Sequence, residues 1–185
     1  MKGLSTALCT ISLLCACVAR QPDHFYILSP QPQGPIAARA APLTQVALKV
    51  AVPSLVDRPE MILNSAADGI VVLEHERWAA PLADLMTEAL ARNIEQRRTD
   101  MLVANRASDA RIKILIDVVQ VTLRRGQRAG IEAHWRIIGA RAGTEALVGG
   151  EVFSVPLEGQ DYAAAAQALS GCLGLLADRL VEQLR

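Results

Sequence analysis

From Thr44 onward the chain alternates between apolar and polar positions. Val46, Leu48, Val50 and Val52 interleave with Gln45, Ala47, Lys49 and Ala51. That period of two predicts a half-buried strand, which Pro53 ends. Residues 61–63 and 70–73 are short β-rich runs around Asn64-Ser65-Ala66-Ala67-Asp68-Gly69, whose Asn, Asp and Gly suit a hairpin loop. Pro81 then opens a helix at a position where a missing amide is tolerated. Leu82, Leu85, Met86, Ala89, Leu90 and Ile94 recur at three- and four-residue spacing, giving one apolar face. Glu88 and Arg92 form an i,i+4 pair on the other face, and Arg97-Arg98 sit where cations favour a helix C-terminus.

Residues 101–104 predict a short edge strand, and residues 111–123 the longest strand of the chain. In the latter Ile112, Ile114, Ile116 and Val118 share one face, whereas Val119, Val121 and Leu123 continue on the opposite parity. The phase flip implies either a β-bulge near Val118-Val119 or a strand buried on both faces at one end. Arg124-Arg125-Gly126-Gln127 reads as a turn. The return strand places Ile131, Ala133, Trp135 and Ile137 opposite Glu132, His134 and Arg136, and Gly143 marks a hairpin into a strand over 146–155. A long helix closes the chain, with Asp161 as N-cap and a stripe of Leu169, Leu173, Leu176, Leu180 and Leu184. Such a stripe needs an apolar partner, and the sheet supplies one. The expected class is α+β: a mainly antiparallel sheet with two amphipathic helices on one face, over a single domain from 44 to 185.

The N-terminal pattern is different. Met1-Lys2-Gly3 is a short basic start, and the apolar run from Leu4 to Cys15 is too short to span a bilayer, which takes about 20 residues. Leu14-Cys15-Ala16-Cys17 follows. A basic start, a short apolar run and a small residue before the cut describe a signal peptide over residues 1–16. The cysteine after Ala16 makes the segment look like a lipobox, which implies diacylglycerol on Cys17. The alternative is an ordinary signal peptide with an incidental cysteine. Residue 18 is Val, not the Asp of an inner-membrane retention signal, so the lipobox reading points to the periplasmic face of the outer membrane. Pro22, Pro30, Pro32, Pro35 and Pro42 make residues 17–43 a tether, with 29–43 a semi-rigid spacer holding the domain off the membrane. The island His24-Phe25-Tyr26-Ile27-Leu28 is expected to dock on the domain or a neighbour.

The chain has 19 basic and 19 acidic side chains, and loss of Lys2 with the signal peptide leaves 18 against 19. This balance disfavours nucleic acid as a partner. Of four cysteines only Cys172 would remain unmodified in the mature chain, so no internal disulfide is expected. Cys172 reads as a buried hydrophobe or, less simply, a reactive thiol. No second apolar stretch reads as long enough to span a membrane. No phosphate-binding glycine loop, zinc-binding helix motif or nucleophile elbow is present, and His24, His75 and His134 lie on separate segments. Glu74-His75-Glu76 is the one polar cluster with metal-ligand residue types. On a strand its carboxylates point away from the imidazole, so no metal, cofactor or enzymatic activity is expected.

Two stretches carry more information. Val50-Ala51-Val52-Pro53-Ser54-Leu55-Val56-Asp57-Arg58-Pro59-Glu60-Met61-Ile62 is a strand, a proline break and a turn into the next strand, and His75-Glu76-Arg77-Trp78-Ala79-Ala80-Pro81-Leu82 leads into the first helix. With the lipobox and the Phe25-Tyr26-Ile27-Leu28 island, they resemble the PqiC-type ABC-transport auxiliary lipoproteins. Phe25 stands where that family has tyrosine, Val56 where leucine is usual, and a proline after the short strand beyond Gln96 is lacking. The resemblance implies an outer-membrane docking subunit for a periplasm-spanning MCE-type protein (PqiB-like) and, through it, an inner-membrane subunit. It implies a role in lipid transport and membrane integrity, with a homo-oligomer as a further expectation. Asp57, Arg58, Pro59, Arg77 and Trp78 are then candidate partner contacts. Alternatively Asp57 caps backbone amides, Arg58 pairs locally, and Trp78 covers a helix–sheet seam. Two rival functions stand beside this one: an assembly or activator lipoprotein for lipopolysaccharide export or cell-wall synthesis, and a lipid-anchored enzyme with a deep polar cleft.

Overall fold

The structure is a computed structural model that describes residues 21–31, 38, 43–65, 69–104, 110–139 and 146–184. Eight strands and two helices lie among them: β1 (His24–Tyr26), β2 (Thr44–Ala51), β3 (Glu60–Asn64), β4 (Ile70–Trp78), α1 (Leu82–Arg97), β5 (Met101–Ala104), β6 (Ile112–Arg124), β7 (Arg128–Ile138), β8 (Leu147–Pro156) and α2 (Tyr162–Gln183). The α+β class is as the periodicities predict, but the strands form two mixed sheets, ordered β5-β2-β6-β7-β8 and β1-β4-β3. β2 runs parallel to both β5 and β6, and β1 runs parallel to β4, while the long β6-β7-β8 meander is antiparallel. Parallel neighbours need a long crossover. Between β2 and β5 it is provided by β3, β4 and α1.

Alternation decides which face of the larger sheet is covered. Val46, Leu48, Val50, Ile114, Ile116, Ala133, Trp135, Ile137 and Phe153 are buried. Lys49, Lys113, Leu115, Asp117, His134, Arg136, Val148 and Val152 point the other way and are exposed. α1 lies over β2 and β5, α2 over β7 and β8, and the helices touch each other. Leu82, Leu85, Met86, Ala89, Leu90 and Ile94 fill the α1 side, and Leu169, Leu173, Leu176 and Leu180 the α2 side. Each fully buried leucine contributes about 1.5–3 kcal/mol before entropy is counted. Contrary to the sequence reading, α2 is long and apolar enough to cross a membrane by length and composition, but most of it is buried in this core.

Local signals are met at several points. The β6 ladder shifts register between Val118 and Gln120, so the phase flip is a bulge. Gly126 closes the β6–β7 turn at φ 67°. Gly149 sits opposite Trp135, and a Cβ there would lie 2.4 Å from the indole ring, so this strand position requires glycine. Asp161 Oδ1 accepts the Ala164 amide at 2.6 Å as the α2 N-cap. Cys172 is buried with its sulfur 3.6 Å from the Ala129 carbonyl, and burial pushes its thiol up to about 11, which makes it an inert core residue. The hairpin expected around Gly143 lies outside the described residues.

One element of polar packing has no counterpart in the sequence reading. Arg97, expected only to complement the α1 dipole, is nearly buried and joins the helices. Its guanidinium donates to Asp178 Oδ1 at 2.6 Å, to the Gly174 carbonyl at 3.2 Å and to the Asn93 carbonyl at 3.1 Å.

The N-terminal island docks on the domain, and the way it does so corrects the expected tether. β1 pairs with β4, the Ala79 amide donates to the Tyr26 carbonyl at 2.9 Å, and Leu28 is buried in the core. Beyond it, the Ser29 amide donates to Ser170 Oγ at 3.0 Å and the Gln31 amide to Asn93 Oδ1 at 2.7 Å. Residues 24–31 are thus a strap stitched across the domain. The segment expected to be a spacer follows this strap and connects β1 to β2, so it does not separate an anchor from the domain. Only residues 18–23 lie between Cys17 and β1.

Candidate functional site

The two motif segments meet at one corner, where β3 begins, β4 ends and α1 starts. Amides of Val56 and Asp57 both donate to the Pro53 carbonyl, at 3.0 and 3.1 Å, curling the chain after β2. This turn aims Asp57 at α1, whose N-cap, Pro81, offers no side-chain acceptor. Asp57 Oδ1 therefore takes the Ala83 amide, at 3.2 Å, as a cap supplied from another segment. Next to it the Trp78 amide donates to the Pro59 carbonyl at 2.7 Å, and Trp78 is 3% exposed, within the core that includes Leu82.

Glu60 joins the two arginines. Arg58 Nε donates to Glu60 Oε2 at 2.8 Å, and Arg77 Nη2 donates to Oε1 at 3.3 Å. Arg58 lies two residues before Glu60 in the bend that leads into β3, whereas Arg77 arrives through the β3–β4 ladder, in which it pairs with Glu60. Arg77 also reaches Asp23 at 3.6 Å, and Asp23 in turn meets His75 Nδ1 at 3.0 Å. The hydrogen bond from Arg58 is the main reason that the Glu60 carboxyl is held below the usual glutamate range.

On β1 and β4, Glu76 accepts from Tyr26 Oη at 2.5 Å and lies 3.1 Å from His24 Nδ1. Burial pushes Glu76 up, but the hydrogen bonds from Tyr26 and His24 outweigh it and hold the carboxyl below its ordinary value. Burial, reinforced by Glu76, raises Tyr26 to about 12. A phenol that high beside a carboxylate that low is matched to structure and not to proton transfer near neutral pH.

Of the candidate contacts, Arg58 and Arg77 converge on one carboxylate with their side chains partly exposed, while Asp57, Pro59 and Trp78 hold the corner together through backbone and core. Cys17 lies outside the described residues. Among the described residues no group of three His, Cys, Asp or Glu side chains is placed to hold a metal ion. Glu74 and His75 alternate along β4, and His75 is bound to Asp23. Sequence reasoning missed Glu60, the acid that both arginines share, and Asp23, which pairs with Arg77 and His75. The spacing of Arg58 and Glu60 is a usable local signal, but nothing local joins Asp23 to Arg77. A second surface feature lies on the uncovered face of the larger sheet. There Lys49, Leu115, Asp117, His134, Arg136 and Val148 line a shallow depression of about 450 Å³.

Comparison with known proteins agrees with this architecture. No curated protein matches the sequence. A crystal structure of an uncharacterized protein aligns with a TM-score of 0.71 at 15% identity, covering 89% of this chain and 100% of that one. A Xanthomonas campestris protein of the family DUF330 aligns at 0.61 and 20% identity, covering 85% of this chain and 92% of that one. At these identities the likeness is one of fold. The family model for the ABC-type transport auxiliary lipoprotein component matches residues 26–181, a span that runs from β1 through nearly all of α2 and includes the whole corner. The chain belongs to the ABC-type transport auxiliary lipoprotein family.

Proposed function

We propose that this protein is an outer-membrane lipoprotein, anchored through Cys17 on the periplasmic face, that docks a periplasm-spanning MCE-type (PqiB-like) protein. In this reading it is a non-catalytic auxiliary subunit of a lipid-transport and membrane-integrity system whose motor sits with an inner-membrane subunit. The observation that carries the reading is the family match over residues 26–181, because an auxiliary transport component acts through partners. The geometry is in keeping with a docking role. The corner offers two partly exposed guanidiniums on a rigid frame, and a guanidinium sharing one carboxylate can turn part of its donor fork to a partner's acid. Assembly of several copies would present repeated docking sites, and linked weak contacts multiply in affinity.

Two measurements test the reading. Labelled palmitate should enter the wild-type protein, whereas Cys17→Ser should be unlabelled and soluble in the periplasm; continued labelling of that variant would end the lipoprotein anchor at Cys17. A soluble form beginning at Val18 should co-elute with the MCE-type protein of the same organism. Arg58→Glu should weaken that association about tenfold or more while its melting curve stays normal, as expected of an interface arginine. Unchanged binding by well-folded Arg58→Glu would leave the corner a structural role only. No association at micromolar concentration would sink the docking function.

A further inference from the structure

We infer that the β1 edge of the domain is a membrane-contacting edge, with Phe25 and Ile27 seated in the phospholipid surface that holds the anchor. The inference rests on the proposed lipid at Cys17, but its content comes from the strap. Only residues 18–23 separate Cys17 from His24. At roughly 3.3–3.6 Å per residue, even a fully extended chain keeps β1 within about 25 Å of the lipidated cysteine. β1 cannot be released to lengthen this reach without breaking its ladder to β4, the Tyr26–Glu76 hydrogen bond, the burial of Leu28 and the Ser29 and Gln31 bonds to the helices. The proline-rich segment follows the strap and adds nothing to the reach. The anchor therefore keeps β1 near the membrane.

That edge carries two exposed apolar side chains. Tyr26 and Leu28 turn inward, while Phe25 and Ile27, two positions apart, are 64% and 60% exposed. The chain has only six aromatic side chains, and the other five are buried or partly buried. Phe25 and Ile27 also edge a shallow groove whose far wall is Ala163, Ala166 and Gln167 of α2, with Ser170 beside them. No charged side chain lines that groove, so acyl chains entering it would meet no ion there. Charged groups stand beside the ridge: Arg77 is the register partner of Phe25, and Asp23 and His75 are bound to one another nearby. An apolar ridge flanked by polar groups suits the boundary between headgroups and acyl chains, where aromatic side chains are favoured.

The test uses the full mature lipoprotein on phosphatidylethanolamine/phosphatidylglycerol vesicles carrying acyl-brominated lipid, which quenches only tryptophans that reach the chains. F25W and I27W should lose most of their added emission. V148W, on the uncovered face of the larger sheet where Val148 is 71% exposed, should keep it. Trp78 and Trp135, both buried, give a constant background. Floating protein with unquenched F25W and I27W would overturn the membrane edge and leave the anchor intact. Wild-type protein that fails to float would overturn the anchor, and the edge with it. A smaller particle by mass photometry in detergent for the Phe25→Ser/Ile27→Ser double variant would assign the ridge to a second copy of the chain, which also overturns the proposal.

Discussion

In the larger sheet β6 and β7 are consecutive strands joined by the tight turn at Gly126, and Ile114, Ile116, Val118, Ala133, Trp135 and Ile137 are buried between them and the helices. In the smaller sheet β1 is a short strand from a remote segment, Ile70, Val71 and Val72 are exposed, and the strands are clamped by Glu60, Glu76 and Asp23. The two regions share a core, into which the smaller sheet sends Met61, Leu63 and Trp78, but they differ in how much polar pairing supplements it. Apolar burial is non-directional and roughly additive in area, so the larger sheet and its helices should act as one cooperative unit. The smaller sheet adds to its share of that core directional polar contacts between distant parts of the chain, and its β1 and early β4 positions are largely exposed, so it should open first and locally.

The comparison is broken most severely at the centre of the larger unit. Leu176 is fully buried on α2. Leu176→Asp would place an unpaired charge in that core, a change in the class that costs about 3–5 kcal/mol or more. A soluble form from Val18 carrying it should show no cooperative melting. An unchanged melting temperature would mean that α2 is not part of the unit that holds the fold.

A smaller effect is expected where the strap enters the core. Leu28→Ala removes a buried side chain and leaves a cavity, with a cost of about 2–4 kcal/mol. Because Leu28 ties β1 to the main core, the loss should be unevenly distributed. Amide exchange over residues 24–31 and 70–78 should rise strongly, while β6 and β7 remain protected. Uniform loss of protection would show that the strap belongs to the same cooperative unit as the larger sheet.

What could be read from the sequence follows the same division. β2, the bulged β6, β7, the two helix faces and the Asp161 cap are local patterns, each expressed within one segment, and periodicity found them. The parallel pairing of β2 with β5 and β6 was not legible, because alternation reports which face is buried and not which strand lies alongside. Arg97 reads as a terminal cation because its acid, Asp178, is on the other helix. The corner is visible as two motifs, with Asp57 weighed as a cap and Arg58 as a local pair, and both contacts are present. Only the fold shows that Glu60 gathers Arg58 and Arg77. The spacer reading failed because proline content identifies extended chain but not its place in the topology, and the preceding strap is already in the sheet.

The mildest probe is pH, and it bears on the smaller sheet from both sides. The carboxyls of Glu60 and Glu76 are held below their ordinary values, Glu60 chiefly by Arg58. A depressed carboxyl contributes stability that is present above its unfolded value, about 4.3, and is lost as pH falls through the folded value. Tyr26 has the opposite sign: it is raised from 10.0 to about 12, so its contribution is complete below its unfolded value and is lost as pH rises through the folded one. Exchange over 24–31 and 70–78, corrected for its intrinsic pH dependence, should therefore be flat through the neutral range and accelerate at both extremes, in acid ahead of β6 and β7. Asp100, held down by Arg98 at the junction of α1 and β5, should add a second acid-sensitive point there. Tyr26→Phe should remove the alkaline acceleration, and Glu60→Gln should blunt the acid one without touching the Arg98–Asp100 junction. If β6 and β7 open together with the smaller sheet at every pH, the two regions are one unit, and the polar clamp is not what distinguishes them.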